Sequence, residues 1–181
     1  MRALFIVISL LVAGSANAGY LGGFSFNSLL EEEVRGNAYD FDSRTRLFGG
    51  YHRENKEKFL LTYVYNQAST TTGSLNIEDT SHELLFWYYK QIFRNSNQTW
   101  FVFLGGGLGL TWSDIDTRLG SSSVEETSEK EAVLAAAMEF TRPIIANRFW
   151  YATEISLRYA ETYSMQPALE FSVLKFYFLW D

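Results

Sequence analysis

Residues 148–162 read RFWYATEISLRYAET, and large apolar side chains alternate along them with small or charged ones. The apolar side chains fall on one side of an extended chain: Phe149, Tyr151, Ile155, Leu157 and Tyr159. The positions between them fall on the other side: Ala152, Glu154, Ser156 and Arg158. Period-two alternation over this length predicts a β-strand with one apolar and one polar face.

The same alternation recurs along most of the chain and divides it into segments separated by turn-forming residues. Eight strands are predicted, at about 20–31, 39–53, 58–69, 81–93, 99–113, 131–142, 148–162 and 168–180. Residues 129–140 taken alone have strong helix propensity. A strand is nevertheless predicted at 131–142 because the strands on either side of it in the chain need an antiparallel neighbour. The predicted fold class is therefore all-β.

The connections between the predicted strands alternate between tight and long. Long polar connections fall near four positions: Gly36, Gly73, Gly120 and Ser164. Two of them cover 70–80 and 114–129. Short periplasmic turns and longer extracellular loops are typical of outer-membrane barrels, whose tilted strands cross the hydrocarbon in about ten residues. The pattern predicts an eight-stranded antiparallel up-and-down transmembrane β-barrel, whereas a soluble all-β protein would need no consistent difference between its loops.

Composition excludes several functional classes. The 181 residues include 15 Lys and Arg against 21 Asp and Glu, a net charge of -6, which argues against general nucleic-acid binding. Cys is absent, so disulfides, Cys-bound zinc and a Cys nucleophile are excluded. With only His52 and His82 available, no metal site is predicted, and no cofactor is implied.

The first eighteen residues have the features of a secretory signal peptide. Arg2 precedes an apolar stretch over 3–13, and Ala16-Asn17-Ala18 forms a small-residue cleavage pattern. An uncleaved anchor is the alternative, but this stretch is shorter than the ~20 residues that a spanning helix needs. We expect residues 1–18 to be removed and residues 19–181 to form the barrel domain.

Aromatic side chains collect where the predicted strands would meet the two membrane interfaces. Aromatic girdles at both interfaces are a feature of membrane barrels, although aromatic residues favour strands in any case. The tryptophans predicted to lie at the interfaces are Trp100, Trp112, Trp150 and Trp180.

The last strand ends in LKFYFLW, residues 174–180, where Phe176, Phe178 and Trp180 share one face. Together with the signal peptide and the eight alternating segments, this ending resembles the small eight-stranded outer-membrane β-barrel proteins of the OmpA/OmpX type. The resemblance covers nearly all of 19–181. It implies a monomer in the cell outer membrane, in contact with membrane lipid and lipopolysaccharide. It also implies insertion by the barrel-assembly machinery, which reads a terminal aromatic residue, whereas this chain ends Trp180-Asp181.

The polar faces of the strands predict a charged barrel interior. An eight-stranded barrel is just wide enough to be filled by side chains, so a closed polar plug is predicted, with a conducting pore as the alternative. Cations outnumber carboxylates in this set, so we expect further partners from water, Tyr hydroxyls, Glu83 or Glu170. The charged residues assigned to the interior are Arg44, Arg46, Glu139, Glu154, Arg158 and Lys175.

A stripe of glycines on the inward face of the fifth predicted strand leaves space inside the barrel. The stripe consists of Gly105, Gly107 and Gly109. We expect it to make room for a long side chain from across the lumen, with Arg46 or Arg158 reaching towards it.

Three functional hypotheses follow. The first is a structural or surface-interaction outer-membrane barrel, whose acidic, hydroxyl-rich outer loops are either solvated or a binding surface. The second is a lipid-modifying outer-membrane enzyme that uses His82 with a hydroxyl from Thr111 or Ser113 and the carboxylate of Asp114 or Asp116. The third is a soluble periplasmic lipocalin-like carrier, which predicts an apolar lumen. No catalytic residue is assigned.

Overall fold

The computed structural model describes residues 18–32, 39–54, 56–72, 75–119, 122–127, 130–145, 148–161 and 167–180. The predicted signal peptide lies outside these ranges except for Ala18. The described ranges contain nine β-strands: β1 Ala18–Glu32, β2 Tyr39–Arg53, β3 Glu57–Thr72, β4 Leu75–Arg94, β5 Phe101–Leu119, β6 Ser122–Thr127, β7 Glu131–Ile145, β8 Phe149–Tyr159 and β9 Ala168–Trp180. No helix in the described part of the chain is long and apolar enough to cross a membrane.

Eight of these strands close into an antiparallel barrel. Neighbouring strands pair in chain order from β1 to β5 and from β7 to β9, and the β1–β9 ladder closes the ring with pairs such as Ser25–Lys175. β7 pairs with β5 over 101–111, while the short β6 pairs with β5 over 114–119. The predicted all-β, eight-stranded antiparallel barrel is therefore confirmed. Closure leaves no open sheet edge around the barrel itself.

Large apolar side chains are exposed on the outer face of the strands. Leu61, Leu108 and Leu134 are 54%, 62% and 61% exposed, whereas their inward neighbours Leu60 and Val133 are fully buried. Residues 131–145 form a strand, β7, as predicted, although the sequence there favours a helix locally. Helix propensity is a weak preference, and pairing with β5 and β8 outweighs it.

Two segments predicted to be long polar loops instead form strands in part. β3 continues to Thr72 and β4 begins at Leu75, so most of 70–80 is an extended hairpin. In the same way β5 continues to Leu119 and pairs with β6, so that much of 114–129 is a second hairpin. A polar segment that lies outside the membrane has the hydropathy pattern of a loop. Threonine nevertheless favours β-strands, so such segments can pair as hairpins. The loop lengths themselves stay a prediction, because residues 33–38 and most of the other connections lie outside the described residues.

The barrel has two different ends. At the turn end lie Ala18, Trp180 and the connections from β2 to β3, from β4 to β5 and from β7 to β8. At the opposite loop end, the β2–β3 ladder stops at the pair Thr45–Tyr65, while β3, β4, β5 and β6 continue beyond it. We call this continuation, residues 66–72, 75–81, 113–119 and 122–127, the sheet extension.

A bulge in β9 determines which of its side chains enter the barrel. The register with β1 shifts between Ser172 and Leu174, and both Val173 and Leu174 face outward. A bulge inserts one residue and reverses the alternation beyond it. As a result Glu170 and Lys175, which have opposite parity in the sequence, are both buried inside the barrel.

Candidate functional site

The most distinctive feature of the barrel is the chain of charged side chains in its interior. The six residues predicted to line the interior are all buried, from 0% exposed for Arg46 to 6% for Arg44. They come from four strands: Arg44 and Arg46 from β2, Glu139 from β7, Glu154 and Arg158 from β8, and Lys175 from β9. Three further charged residues are buried with them: Lys58 from β3, Glu83 from β4 and Glu170 from β9.

These nine side chains form one continuous alternating chain of ion pairs, which we call the lumen network. Near the loop end, Arg44 pairs with Glu83 at 2.6 Å, and Glu83 also binds Arg158. Arg158 continues to Glu170 at 2.5 Å, and Glu170 to Arg46 at 2.6 Å. Each of these two carboxylates therefore lies between two arginines.

The second half of the lumen network continues towards the turn end. Arg46 binds Glu154 at 2.7 Å, and Glu154 also binds Lys175. Lys175 pairs with Glu139 at 2.7 Å, and Glu139 also binds Lys58. Five cations thus alternate with four carboxylates along the network, and no carboxylate in it depends on a single partner.

Neutral hydrogen-bond donors complete the coordination of the carboxylates. The Tyr89 hydroxyl donates to Glu154 Oε2 at 2.7 Å, and the Tyr177 hydroxyl donates to Glu139. Thr141 donates to Glu139 Oε1 at 2.6 Å, and Asn27 donates to Glu170. Charged groups removed from water need several such partners, since desolvation costs several kcal/mol per ion. Glu83 and Glu170 are partners that the excess of cations in the sequence led us to expect, whereas the two tyrosine hydroxyls donate to carboxylates and not to the cations.

Aromatic rings surround the cations of the lumen network. The Lys58 ammonium lies 3.7 Å from the ring centre of Phe103 and 4.6 Å from that of Tyr177. The guanidinium groups of Arg46 and Arg158 lie 5.8 and 6.0 Å from the Trp87 ring. These cation–π contacts add stabilisation in a desolvated site. The lumen at this level is therefore filled by packed side chains.

The glycine stripe accommodates aromatic rings from the neighbouring strand, which corrects the expectation that Arg46 or Arg158 fills it. A Cβ on Gly105 would lie 2.4 Å from the ring of Tyr89, and one on Gly107 would lie 2.7 Å from the ring of Trp87. Each ring covers the glycine directly opposite it in the β4–β5 ladder. The two arginines instead lie near the Trp87 ring, on the lumen side.

The predicted interface tryptophans divide into two groups. Trp100 and Trp180 are 45% and 53% exposed on the outer surface at the turn end, and Trp112 lies outward near the loop end. Trp150 is 4% exposed and stacks on Phe101 inside the barrel at a centroid distance of 5.4 Å, so its assignment to the interface is wrong. Trp150 shares the inward parity of Glu154, which the alternation already indicated.

His82 lies on the outer surface near the loop end. Its Nδ1 is 2.7 Å from the Tyr63 hydroxyl and its Nε2 is 3.4 Å from Asp114 Oδ2, while its ring stacks on Trp112. Thr111, a hydroxyl considered for a catalytic set, faces the other way and donates to the backbone carbonyl of His82. The hydroxyl that contacts the imidazole is therefore a phenol.

The sheet extension carries most of the described acidic side chains at the loop end. Glu78, Asp114, Asp116 and Glu125 line one surface pocket of about 370 Å³. Arg118 pairs with Asp116 at 2.5 Å. The sequence has further acidic residues near the loop end, at 31–33, 40, 42 and 79, whose side chains lie outside the described part of the structure. In the described ranges no group of three or more His, Asp or Glu side chains is arranged to hold a metal ion.

The sequence matches no protein-family model and no curated protein. Solved structures share its fold. Ail, the attachment invasion locus protein of Yersinia pestis, superposes with a TM-score of 0.55 at 10% identity, over 90% of this chain and 96% of Ail. Neisserial surface protein A gives 0.54 at 13% identity, over 89% and 97%. The N-terminal β-barrel domain of Pseudomonas aeruginosa OprF gives 0.50 at 12% identity, over 91% and 98%.

These similarities confirm the predicted fold. The chain is a closed eight-stranded barrel of the type found in small outer-membrane proteins. Its charged interior and apolar exterior also differ from what a lipocalin-like carrier requires, namely an apolar lumen and a polar outer surface.

Proposed function

We propose that this protein is a closed outer-membrane barrel with a structural or surface-interaction role. The observation that carries the proposal is the lumen network, whose ion-paired side chains fill the barrel instead of lining a channel. The outward apolar side chains support a membrane location, because an exposed apolar surface of this extent is unfavourable in water. The protein would be a monomer surrounded by outer-membrane lipid and lipopolysaccharide.

The orientation follows from the two ends. Outer-membrane barrels place short turns in the periplasm, so the turn end would face the periplasm and the sheet extension the cell exterior. The outward aromatic residues of β9, Phe176, Phe178 and Trp180, would be read by the barrel-assembly machinery during insertion. Residues 1–18 would be removed as a signal peptide before insertion.

The sheet extension is the proposed interaction surface. Its outer strand edges, at 66–72 of β3 and at β6, are not covered by another described strand. Ail has been solved with the heparin analogue sucrose octasulfate, a polyanion. The described side chains of the present extension include four carboxylates and one arginine, so we infer a cationic partner and not a polyanionic one.

The closed lumen is tested by conductance. The purified barrel is reconstituted into planar bilayers beside a general porin of known conductance. We expect no stable conductance steps from this protein, because the lumen network closes the barrel. Regular open-channel steps at low voltage would contradict the closed barrel and favour the pore.

The orientation is tested by labelling, which the absence of native Cys makes simple. Ser123→Cys lies in the sheet extension and Lys56→Cys lies at the turn end, and both native residues are exposed. In intact cells a membrane-impermeant maleimide should label the Ser123→Cys variant and should reach Lys56→Cys only after the outer membrane is opened. The reverse pattern would contradict the orientation.

One observation favours the enzyme hypothesis as a second candidate. Tyr63, His82 and Asp114 form a hydroxyl, imidazole and carboxylate series of the kind that activates a nucleophile. Mass spectra of lipid A from cells that carry wild-type protein, His82→Ala or no protein test it. Identical spectra support the structural role, whereas a modification present only with His82 would establish an enzyme.

A further inference from the structure

A row of charged residues crosses the outer surface at the turn end. Arg53 of β2, Glu57 of β3 and Lys90 of β4 are direct cross-strand partners and face outward. Backbone hydrogen bonds hold the connection beside them: Lys56 N donates to Arg53 O at 2.8 Å, and Gln91 N donates to Lys56 O at 2.7 Å. The charged row is therefore presented by a fixed backbone.

The row forms part of a surface pocket with an excess of positive charge. The pocket has a volume of about 410 Å³ and is lined by Arg53, Glu54, Lys56, Glu57, Lys90, Gln91 and Arg94. The four cations outnumber the two carboxylates, of which Glu54 pairs with Lys56 at 3.2 Å and Glu57 accepts from the Tyr88 hydroxyl at 3.1 Å. The other cations of the pocket are Arg53, Lys90 and Arg94.

An aromatic row lies directly next to the charged row, on the side of the membrane centre. Tyr51, Phe59 and Tyr88 are cross-strand partners on the outer surface, with ring centroids 4.7 and 5.0 Å apart. Beside Arg94, the apolar side chains of Ile92 and Phe93 are both 55% exposed. Arg53 and Lys90 thus border the aromatic row on its turn side, while Ile92 and Phe93 lie still nearer the turn.

A row of cations beside a row of aromatic rings fits an amphiphile with an anionic headgroup. Guanidinium and ammonium groups bind phosphate oxygens, and Arg does so with two parallel hydrogen bonds. An acyl chain attached to that phosphate would lie along the aromatic row, whereas a free anion would use the cations alone. The opposite end of the barrel carries the acidic sheet extension and would repel the same headgroup.

We propose that Arg53, Lys90 and Arg94 form a binding site for the phosphate of an anionic phospholipid in the periplasmic leaflet. The site holds the lipid by its headgroup while the chain packs against Tyr51 and Phe59. The inference rests on the proposed function for its location in the membrane. It adds a specific lipid partner to the general contact with lipid that every membrane barrel has.

The test measures lipids retained by the purified protein. The barrel is reconstituted in vesicles of phosphatidylethanolamine and phosphatidylglycerol, extracted into mild detergent, and examined by native mass spectrometry. The variant R53Q/K90Q removes two cations of the site. The matched control R118Q/K130Q removes two cations near the loop end, and R53K/K90R keeps the charges of the site.

We expect the wild type to retain phosphatidylglycerol in preference to phosphatidylethanolamine. Retention should fall about tenfold or more in R53Q/K90Q, since the variant removes two of the three cations that hold the phosphate. The control and R53K/K90R should retain the lipid. All four proteins must show the same heat-dependent gel mobility, which establishes that each is folded.

Three results would overturn the inference: equal retention in R53Q/K90Q and its control, equal retention of the zwitterionic lipid, or displacement of the lipid by soluble glycerophosphoglycerol at comparable concentration. The last result would indicate a site for free anions. The measurement uses no cells, so its failure is distinct from a failure of the surface labelling that tests the proposed function.

Discussion

Arg46 on β2 binds Glu154 on β8 at 2.7 Å, and the side chains of both residues are completely buried. The strands β1 and β9 lie between them in the sheet. The contact therefore joins strands that share no backbone ladder, and it does so at the middle of the alternating chain of five cations and four carboxylates. Such cross-lumen contacts close the barrel interior and connect its walls.

Replacing Glu154 by Gln should destabilise the barrel strongly. Glu154 neutralises both Arg46 and Lys175, and the variant leaves these buried cations with one carboxylate fewer. Breaking a buried pair in this way costs about 3–5 kcal/mol. The urea midpoint for unfolding from lipid vesicles, followed by tryptophan fluorescence, measures the loss.

Glu125→Gln is the control for this variant, because Glu125 is an exposed carboxylate on the sheet extension. Its midpoint should match the wild type. Equal midpoints for Glu154→Gln and Glu125→Gln would show that the lumen network does not stabilise the fold.

Replacing Gly105 by Ala should also destabilise the protein. The new methyl group would lie 2.4 Å from the Tyr89 ring, and the hydroxyl on this ring donates to Glu154. Overpacking of this kind costs about 1–3 kcal/mol, and movement of the ring would disturb the lumen network as well. Unfolding in urea measures the change.

Gly106→Ala is the matched control, since the nearest atom to its added Cβ is the carbonyl oxygen of Ala135 at 4.0 Å. This variant should be as stable as the wild type or slightly more so, because alanine restricts the unfolded chain. A larger loss for Gly106→Ala than for Gly105→Ala would contradict the packing of Tyr89 over the glycine stripe.

The two groups of tryptophans should respond differently to lipids with brominated acyl chains. The bromine atoms quench the fluorescence of only those tryptophan rings that contact lipid. Trp180→Phe removes an outward ring and should reduce the quenched fraction of the emission, whereas Trp150→Phe removes an inward ring and should increase it. Fluorescence of both variants in vesicles measures the fractions, and a decrease for Trp150→Phe would place that ring on the outside.

Period-two alternation predicted the strands, their faces and most of the lumen network. Arg46, Glu154 and Arg158 could be assigned to the interior because each alternates with large apolar residues over a long strand. Lys58 was missed because it adjoins a polar turn, although it has the same parity as Leu60 and Thr62. This shared parity would have assigned Lys58 to the barrel interior from the sequence alone.

Other features depend on contacts that one strand does not contain. The bulge at Val173 and Leu174 reverses the facing of β9, and no single-strand pattern marks it. Which side chains fill the space at the glycine stripe depends on the residues that β4 places opposite it. The sequence did not determine which face of β4 points inward. Most of the sheet extension was predicted as loops, because polar side chains indicate contact with water and do not determine whether the backbone is extended.

The central claim is that the apolar face of each strand contacts lipid while the opposite face fills a closed lumen. Spin labels on single cysteines at Leu61, Tyr63 and Gln67 of β3 test it most directly, since these outward positions run from the membrane-spanning part into the sheet extension. In vesicles we predict frequent collisions with oxygen and few with a water-soluble nickel complex at 61 and 63, and the opposite at 67. Ready access of the nickel complex to 61 and 63 would contradict the account, because the apolar face would then lie in water.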